Sequence, residues 1–208
     1  SENITTPSTL VPHIKSFCIA KYIDLHSHTA IIDNLQIYSA LKREGKLDEV
    51  TDEIHKSFPE VSDFDIIPYP DGTTAQISIK NKGGSYLPMY AYGDGIQRWF
   101  YILGSITLYK KSIICIDGID TGFHNSAQKE LSRQIIQYSI RNKVQLFMTT
   151  HNIEFIDEFL KASEELENTV TDDIKVITLR NTEQGIKHRT MTAKHALYAR
   201  INNRLELR

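Results

Sequence analysis

Three groups of residues in this chain have types and spacings suited to a phosphorylated ligand. Asp117 closes the apolar run Ile113-Ile114-Cys115-Ile116, and His151 follows Leu146-Phe147-Met148-Thr149-Thr150. Ligands of wound parallel sheets bind just beyond the carboxyl ends of strands, so a carboxylate and an imidazole at two such ends would face one crevice. A carboxylate there can hold Mg2+ directly or through water. The third group is Tyr92-Gly93-Asp94-Gly95-Ile96-Gln97-Arg98. Glycines at a helix start let the backbone approach an anion, with free N–H groups and the positive dipole end aimed at it. Each group alone has a plainer explanation. A strand-end Asp is commonly a turn former, a lone His a structural hydrogen-bonder, a Gly-x-Gly an ordinary turn, and Asp94 a helix cap.

The elements that would position these residues follow from periodicity. Ile96, Trp99, Phe100, Leu103 and Ile106 recur at three-and-four spacing, which predicts a helix from Gly95 to Tyr109. Ser112 to Ile116 and Val144 to Met148 read as apolar strands, and 126–142 and 153–166 as helices. Strand, helix, strand, helix with both strands apolar predicts an α/β fold, a parallel sheet with helices on both faces. Upstream, residues 1–30 read as loop, and Asn34 to Phe58 as two short helices broken at Gly45. Phe64 to Tyr69 and Ala75 to Ile79 flank Asp71-Gly72 as a hairpin. Downstream, Lys175 to Leu179 and Ile186 to Met191 predict an antiparallel pair, and Ala193 to Asn202 a closing helix.

The order and spacing of the three groups say more than any one of them. Gly93-Asp94-Gly95 with its helix, then Asp117, then Thr121-Gly122-Phe123-His124, then Thr149-Thr150-His151 resembles the C-terminal half of ABC-type P-loop ATPases. It looks closest to the prokaryotic AAA-type proteins related to the overcoming-lysogenization-defect (OLD) family. The likeness is strong over 92–160 and weaker outside it. It implies an ABC-ATPase head, with 92–208 as the C-terminal half of the ATPase domain. Residues 1–91 would then be an irregular, helical and hairpin segment peripheral to it.

By the same resemblance, Gly93, Asp94 and Gly95 belong to the signature motif, which binds nucleotide held by a partner subunit. Asp117 is the Walker B aspartate and metal ligand, and Asp120 the second acidic position. His124 lies in the D-loop at the dimer seam, and His151 is the switch histidine, the catalytic candidate near the γ-phosphate. ATP and Mg2+ are the implied cofactors, and a homodimer through the signature and D-loop faces the implied assembly. A nuclease or DNA partner accompanies some such heads. The glycines are expected to start their helix away from the chain's own Asp117, because the motif would work in trans.

Two departures stand out. Gly118 occupies the position where the family carries its catalytic glutamate, and glycine cannot polarise water. No Gly-x-x-x-x-Gly-Lys-(Ser/Thr) phosphate loop occurs in the 208 residues, so a Walker A half upstream is the expected partner. The chain alone is then expected not to hydrolyse ATP; restoring the upstream half should recover binding, and Gly118→Glu hydrolysis. The rival reading is a degenerate, non-catalytic ATPase-fold module kept for dimerisation or partner binding.

Composition adds bounds. With 40% hydrophobic residues and a net charge of -2, the chain can bury a core and carries no strong overall field for polyanions. Cys115, inside an apolar run and far from Cys18, reads as a buried free thiol in a reducing cytoplasm. No run approaches the roughly 20 apolar residues of a membrane span, so no membrane association is expected. His26-x-His28 lacks a third metal ligand at suitable spacing and reads as solvated loop. The basic tail with Lys187, Arg189, Lys194, Arg200 and Arg204 reads as a solvated helix face rather than a nucleic-acid contact.

Overall fold

In the computed structural model, which describes residues 19–72, 74–166 and 170–203, the fold is organised around helix α3 (Asp94–Leu108). Its expected stripe of Ile96, Trp99, Phe100, Leu103 and Ile106 is buried, and so are Arg98, Tyr101 and Ile102. A helix apolar on nearly all sides belongs inside a protein. Helices α1 (Ile31–Arg43) and α2 (Leu47–Ser57) pack on it, joined through Gly45 as the spacing predicts.

The parallel sheet has strand order β1-β5-β6, with β1 Ala20–Ile23, β5 Ile113–Ile116 and β6 Gln145–Met148. Strand β1 corrects the reading of residues 1–30 as loop over the part described. It is four residues long and includes Lys21, so it offers no periodicity to detect. It pairs with β5 over its whole length, Ala20 opposite Ile113 and Ile23 opposite Ile116. Alternation puts Ile23, Ile114 and Ile116 in the core, fully or almost fully buried. The row on the opposite side is Tyr22, Cys115 and Phe147, in register across the three strands. Tyr22 is 62% exposed, Phe147 51% exposed and Cys115 half-buried. Among the described residues the outer edges of β1 and β6 are unpaired.

The expected upstream hairpin is β2 (Val61–Pro68) and β3 (Ala75–Asn81), extended by a short third strand, β4 (Tyr86–Pro88). Their inward residues Val61, Phe64, Ile77 and Ile79 share one apolar cluster with α1, α2, α3, β5 and helix α4 (Asn125–Asn142). The apolar core is therefore continuous across residue 91.

A second, smaller core joins α5 (Ile153–Leu166) to the C-terminal elements. These are the one-turn helix α6 (Val170–Asp173), the antiparallel pair β7 (Lys175–Thr182) and β8 (Gly185–Thr192), and α7 (Ala193–Asn203). Leu160, Met191, Ala196 and Leu197 fill it. The basic tail is thus divided. Lys187 and Arg189 lie on β8, Lys194 and Arg200 on α7, and Arg204 lies outside the described residues. Arg200 is no free surface cation, since its Nε and Nη2 each donate to Asp157 at 2.7 Å. No helix among the described residues is long and apolar enough to cross a membrane.

Candidate functional site at the carboxyl edge of the parallel sheet

Strands β1, β5 and β6 run in one direction, so the residues that follow them, Asp24, Asp117 and Thr149, emerge at one edge. The ladder continues past the strands, Asp117 N donating to Ile23 O at 2.9 Å and Thr149 N to Ile116 O at 3.0 Å. Thr149 then ties two strand ends together. Its hydroxyl donates to Asp117 Oδ1 at 2.5 Å and accepts from Gly118 N at 2.9 Å. Asp117 Oδ2 keeps no hydrogen-bond partner among the described residues. Thr150 makes a parallel link, donating to Asp120 Oδ1 at 2.5 Å. Asn152 caps α5, its Oδ1 accepting from Glu154 N and Phe155 N. Between them His151 is exposed and unbonded among the described residues. Asp117 and His151 therefore leave the same edge from adjacent parallel strands.

The edge is braced from below by Arg98, which is fully buried. One nitrogen, Nη1, donates to Asp24 O at 3.3 Å and Leu25 O at 3.2 Å. The other, Nη2, donates to Asp117 O at 2.7 Å and Gly118 O at 2.9 Å. One planar guanidinium thus spans the ends of β1 and β5. Desolvation lowers its pKa, while the carboxylates of Asp94, Asp120, Asp117 and Asp24 push the other way. An arginine side chain is not deprotonated in proteins, so it stays charged.

Arg98 also fixes a neighbour. His28, 1% exposed, turns Nδ1 to Arg98 Nη1 at 3.5 Å and Nε2 to Asp94 Oδ1 at 2.6 Å. A guanidinium only donates, so Nδ1 accepts and Nε2–H donates to Asp94. The solvated-loop reading of this histidine is corrected: His28 is a buried link between the loop after β1 and the start of α3. His26 is exposed. Among the described residues no group of three or more His, Cys, Asp or Glu is gathered to hold a metal by itself.

Helix α3 begins at Asp94, with Gly93 at φ +93° as its cap and both residues exposed. Arg98, one turn further along the helix, links this start to the Asp117 strand end through its hydrogen bond to Asp117 O. Gly95 packs on the backbone of the 121–124 turn, where a Cβ would lie 2.7 Å from Gly122 O. Phe123 seals the contact with an edge-on stack on Trp99 at 5.3 Å. His124 caps α4, its Nδ1 accepting from Ser126 N at 3.4 Å and lying 3.1 Å from the Ser126 hydroxyl. Gly118 has φ +56°, and a Cβ there would lie 2.5 Å from Leu25 Cδ2 and 2.9 Å from Thr121 Oγ1.

Sequence reasoning placed Asp117, Asp120 and His151 at or beside this edge and the glycine turn away from it, and missed Arg98, His28, Asp24 and Thr149 as its scaffold. For Arg98 a signal existed: a cation set among Ile96, Trp99 and Phe100 in a helix with no polar face has to be satisfied internally.

The edge is chemically suited to a hard cation and poorly furnished for the phosphates. Asp117 with Thr149 offers oxygen donors of the kind Mg2+ takes, which commonly uses one or two carboxylates with the rest from water and phosphate. No Gly-x-x-x-x-Gly-Lys-(Ser/Thr) stretch that would cradle the β- and γ-phosphates occurs in the sequence.

Comparison with known proteins bears on family and fold. The family model described as "AAA domain, putative AbiEii toxin, Type IV TA system" matches residues 25–157. An ATP/GTP phosphatase of Helicobacter pylori is 27% identical over 133 residues, covering 61% of this chain and 35% of that protein. An uncharacterized protein of Methanocaldococcus jannaschii is 33% identical over 70 residues, 33% of this chain and 60% of that one. The chain thus spans about a third and three fifths of these curated relatives. Among solved structures, an SMC ATPase studied for ATP-driven dimerization and DNA-stimulated activation aligns with TM-score 0.53 and 15% identity, covering 84% of this chain and 98% of that one. An Smc head bound to the C-winged helix domain of ScpA aligns with TM-score 0.55 and 14% identity over 84% and 56%. At such identities the likeness is one of fold.

Proposed function

The chain belongs to the AAA-domain family of ABC-type P-loop ATPases, matched over residues 25–157, and on that premise we propose that it is the signature-bearing part of a nucleotide-switched, OLD-like ATPase head. ATP with Mg2+ is what the family implies. In this reading Asp117 holds the metal, with the Thr149 hydroxyl fixing its carboxylate. His151 faces the γ-phosphate, and Asp120 and His124 shape the seam. Gly93, Asp94 and Gly95 bind nucleotide carried by a second head, closing a homodimer around it. The phosphate loop comes from a segment outside the 208 residues.

The observation that carries this reading is the exposed start of α3 held in fixed relation to the Asp117 strand end. Arg98 and His28 join them, so a ligand touching Gly93 or Asp94 pulls on the same framework as one bound at Asp117. A phosphate-loop segment also has a place to go. Parallel sheets are normally covered on both faces, and here, among the described residues, no element covers the row Tyr22, Cys115, Phe147 or pairs with the outer edge of β6. The test is titration of a fluorescent ATP analogue with Mg2+ against this chain and against a longer protein that includes the phosphate loop. Binding by the longer protein alone, weakened by Asp117→Ala and accompanied by nucleotide-dependent dimers in sedimentation, is the expected result. Absence of binding by both would refute the proposal.

One observation favours a second reading, a non-catalytic module that binds or dimerises without turnover. Gly118 occupies a left-handed, crowded position, so the backbone itself is shaped for glycine where the family's glutamate would stand. Nucleotide-dependent dimers without phosphate release in the longer protein would identify that case.

A further inference from the structure

From Leu179 through Thr190 every residue of the β7–β8 hairpin is exposed except half-buried Thr182. Only its base, with Val176 and Met191, joins a core. At about 3.4 Å per residue the part beyond the Thr178–Arg189 pair projects roughly 14 Å. A two-stranded hairpin is marginal by itself, so an arm of this length gains from a partner.

Register sorts its side chains into two faces. Arg180 stands opposite Lys187, and Arg189 opposite Thr178 two residues along the ladder, so these three cations share one face. The other face carries Ile177, Leu179 and Ile186, exposed by 57%, 64% and 74%. Like charges directly opposite each other cost a hairpin stability. Here no carboxylate occupies any cross-strand pair to relieve them, and Arg180 and Arg189 have no ion pair among the described residues. The concentration is local, since the whole chain is net negative at -2.

We propose that the Arg180, Lys187, Arg189 face is a docking surface for the sugar–phosphate backbone of duplex nucleic acid. A two-stranded ribbon fits the major groove, and cations along it meet phosphates in the walls. An anionic membrane fits less well, because the cations and the apolar row point in opposite directions. Sinking one into the bilayer would turn the other away from the headgroups. The inference is independent of the nucleotide reading.

The test uses the 208-residue chain with a short fluorescein-labelled DNA duplex, followed by anisotropy over a salt series. Three phosphate contacts predict a log–log salt slope of about -2.7. The pair Arg180→Glu and Arg189→Glu leaves one cation and sets a carboxylate opposite Lys187, which favours the hairpin. It should drop the slope to about -0.9 and the low-salt affinity at least about tenfold. Lys42→Glu with Lys82→Glu, the same charge change far from the hairpin, should leave binding nearly intact. Circular dichroism checks folding, and if the double variant melts, Lys187→Glu alone must still weaken binding. No duplex binding at low salt, equal loss with the distant pair, or binding to phosphatidylserine vesicles without binding to duplex would each overturn the proposal.

Discussion

At the scale of single residues, Arg98 is the position on which most depends. Replacing it with methionine keeps volume but strips the donors from four strand-end carbonyls. We expect a loss of about 3–5 kcal/mol, the range for breaking a buried charged network, read as a shift in urea midpoint. Lysine should not rescue it, because one ammonium cannot span both strand ends as a planar fork does. A loss under about 1 kcal/mol would show that the carbonyls find other partners. Gly118 is the opposite case, where adding atoms costs. Its left-handed backbone makes Gly118→Glu destabilising by about 1–2 kcal/mol, with asparagine tolerated better than alanine or glutamate. That geometry changes the expectation drawn from sequence: a glutamate placed there supplies a carboxylate but displaces Leu25 and Thr121, so in a longer protein it should restore little hydrolysis by itself. Equal stability of the glutamate and asparagine variants would count against this. Asp117 and His151 were legible because each ends an apolar run. The carbonyls that Arg98 reaches were not, since a backbone oxygen leaves no mark in a sequence.

At the scale of elements, α1 and β2 illustrate how a polar contact sets a pH response. Burial, then the nearby Asp65 carboxylate, pushes the Tyr38 hydroxyl up to about 12, and it lies 3.4 Å from Phe64 O and from Asp65 Oδ1. An unfolded tyrosine titrates near 10. Between those values the native state holds a proton the unfolded chain has lost, so stability is complete below pH 10 and falls as pH rises to about 12. Tyr38→Phe should flatten that fall by about 1.4 kcal/mol per pH unit, measured by denaturant unfolding in alkaline buffers. An unchanged slope would remove Tyr38 from the account. The helices and the two central strands were readable because their apolar spacing persists for several turns or is unbroken. Strand β1 was not: Ala-Lys-Tyr-Ile becomes a strand only through its ladder to β5, a contact between residues some ninety positions apart. Strand β4, three residues long, is defined in the same way by β3.

At the scale of the whole molecule, the nucleotide reading implies that this chain alone releases no phosphate from ATP. Positioning and charge neutralisation are nearly all a protein contributes to phosphoryl transfer, and no Gly-x-x-x-x-Gly-Lys-(Ser/Thr) stretch occurs in these residues. Phosphate release by the 208-residue chain, abolished by Asp117→Ala, would refute it. The sheet row left uncovered among the described residues has a consequence of another kind. Its middle member, Cys115, is a half-buried thiol between Tyr22 and Phe147. Whatever covers that row also covers the sulfur, so the protein carries its own reporter of assembly. Pulsed alkylation followed by peptide mass spectrometry, which separates Cys115 from Cys18, would time the closure of the sheet without a label being introduced.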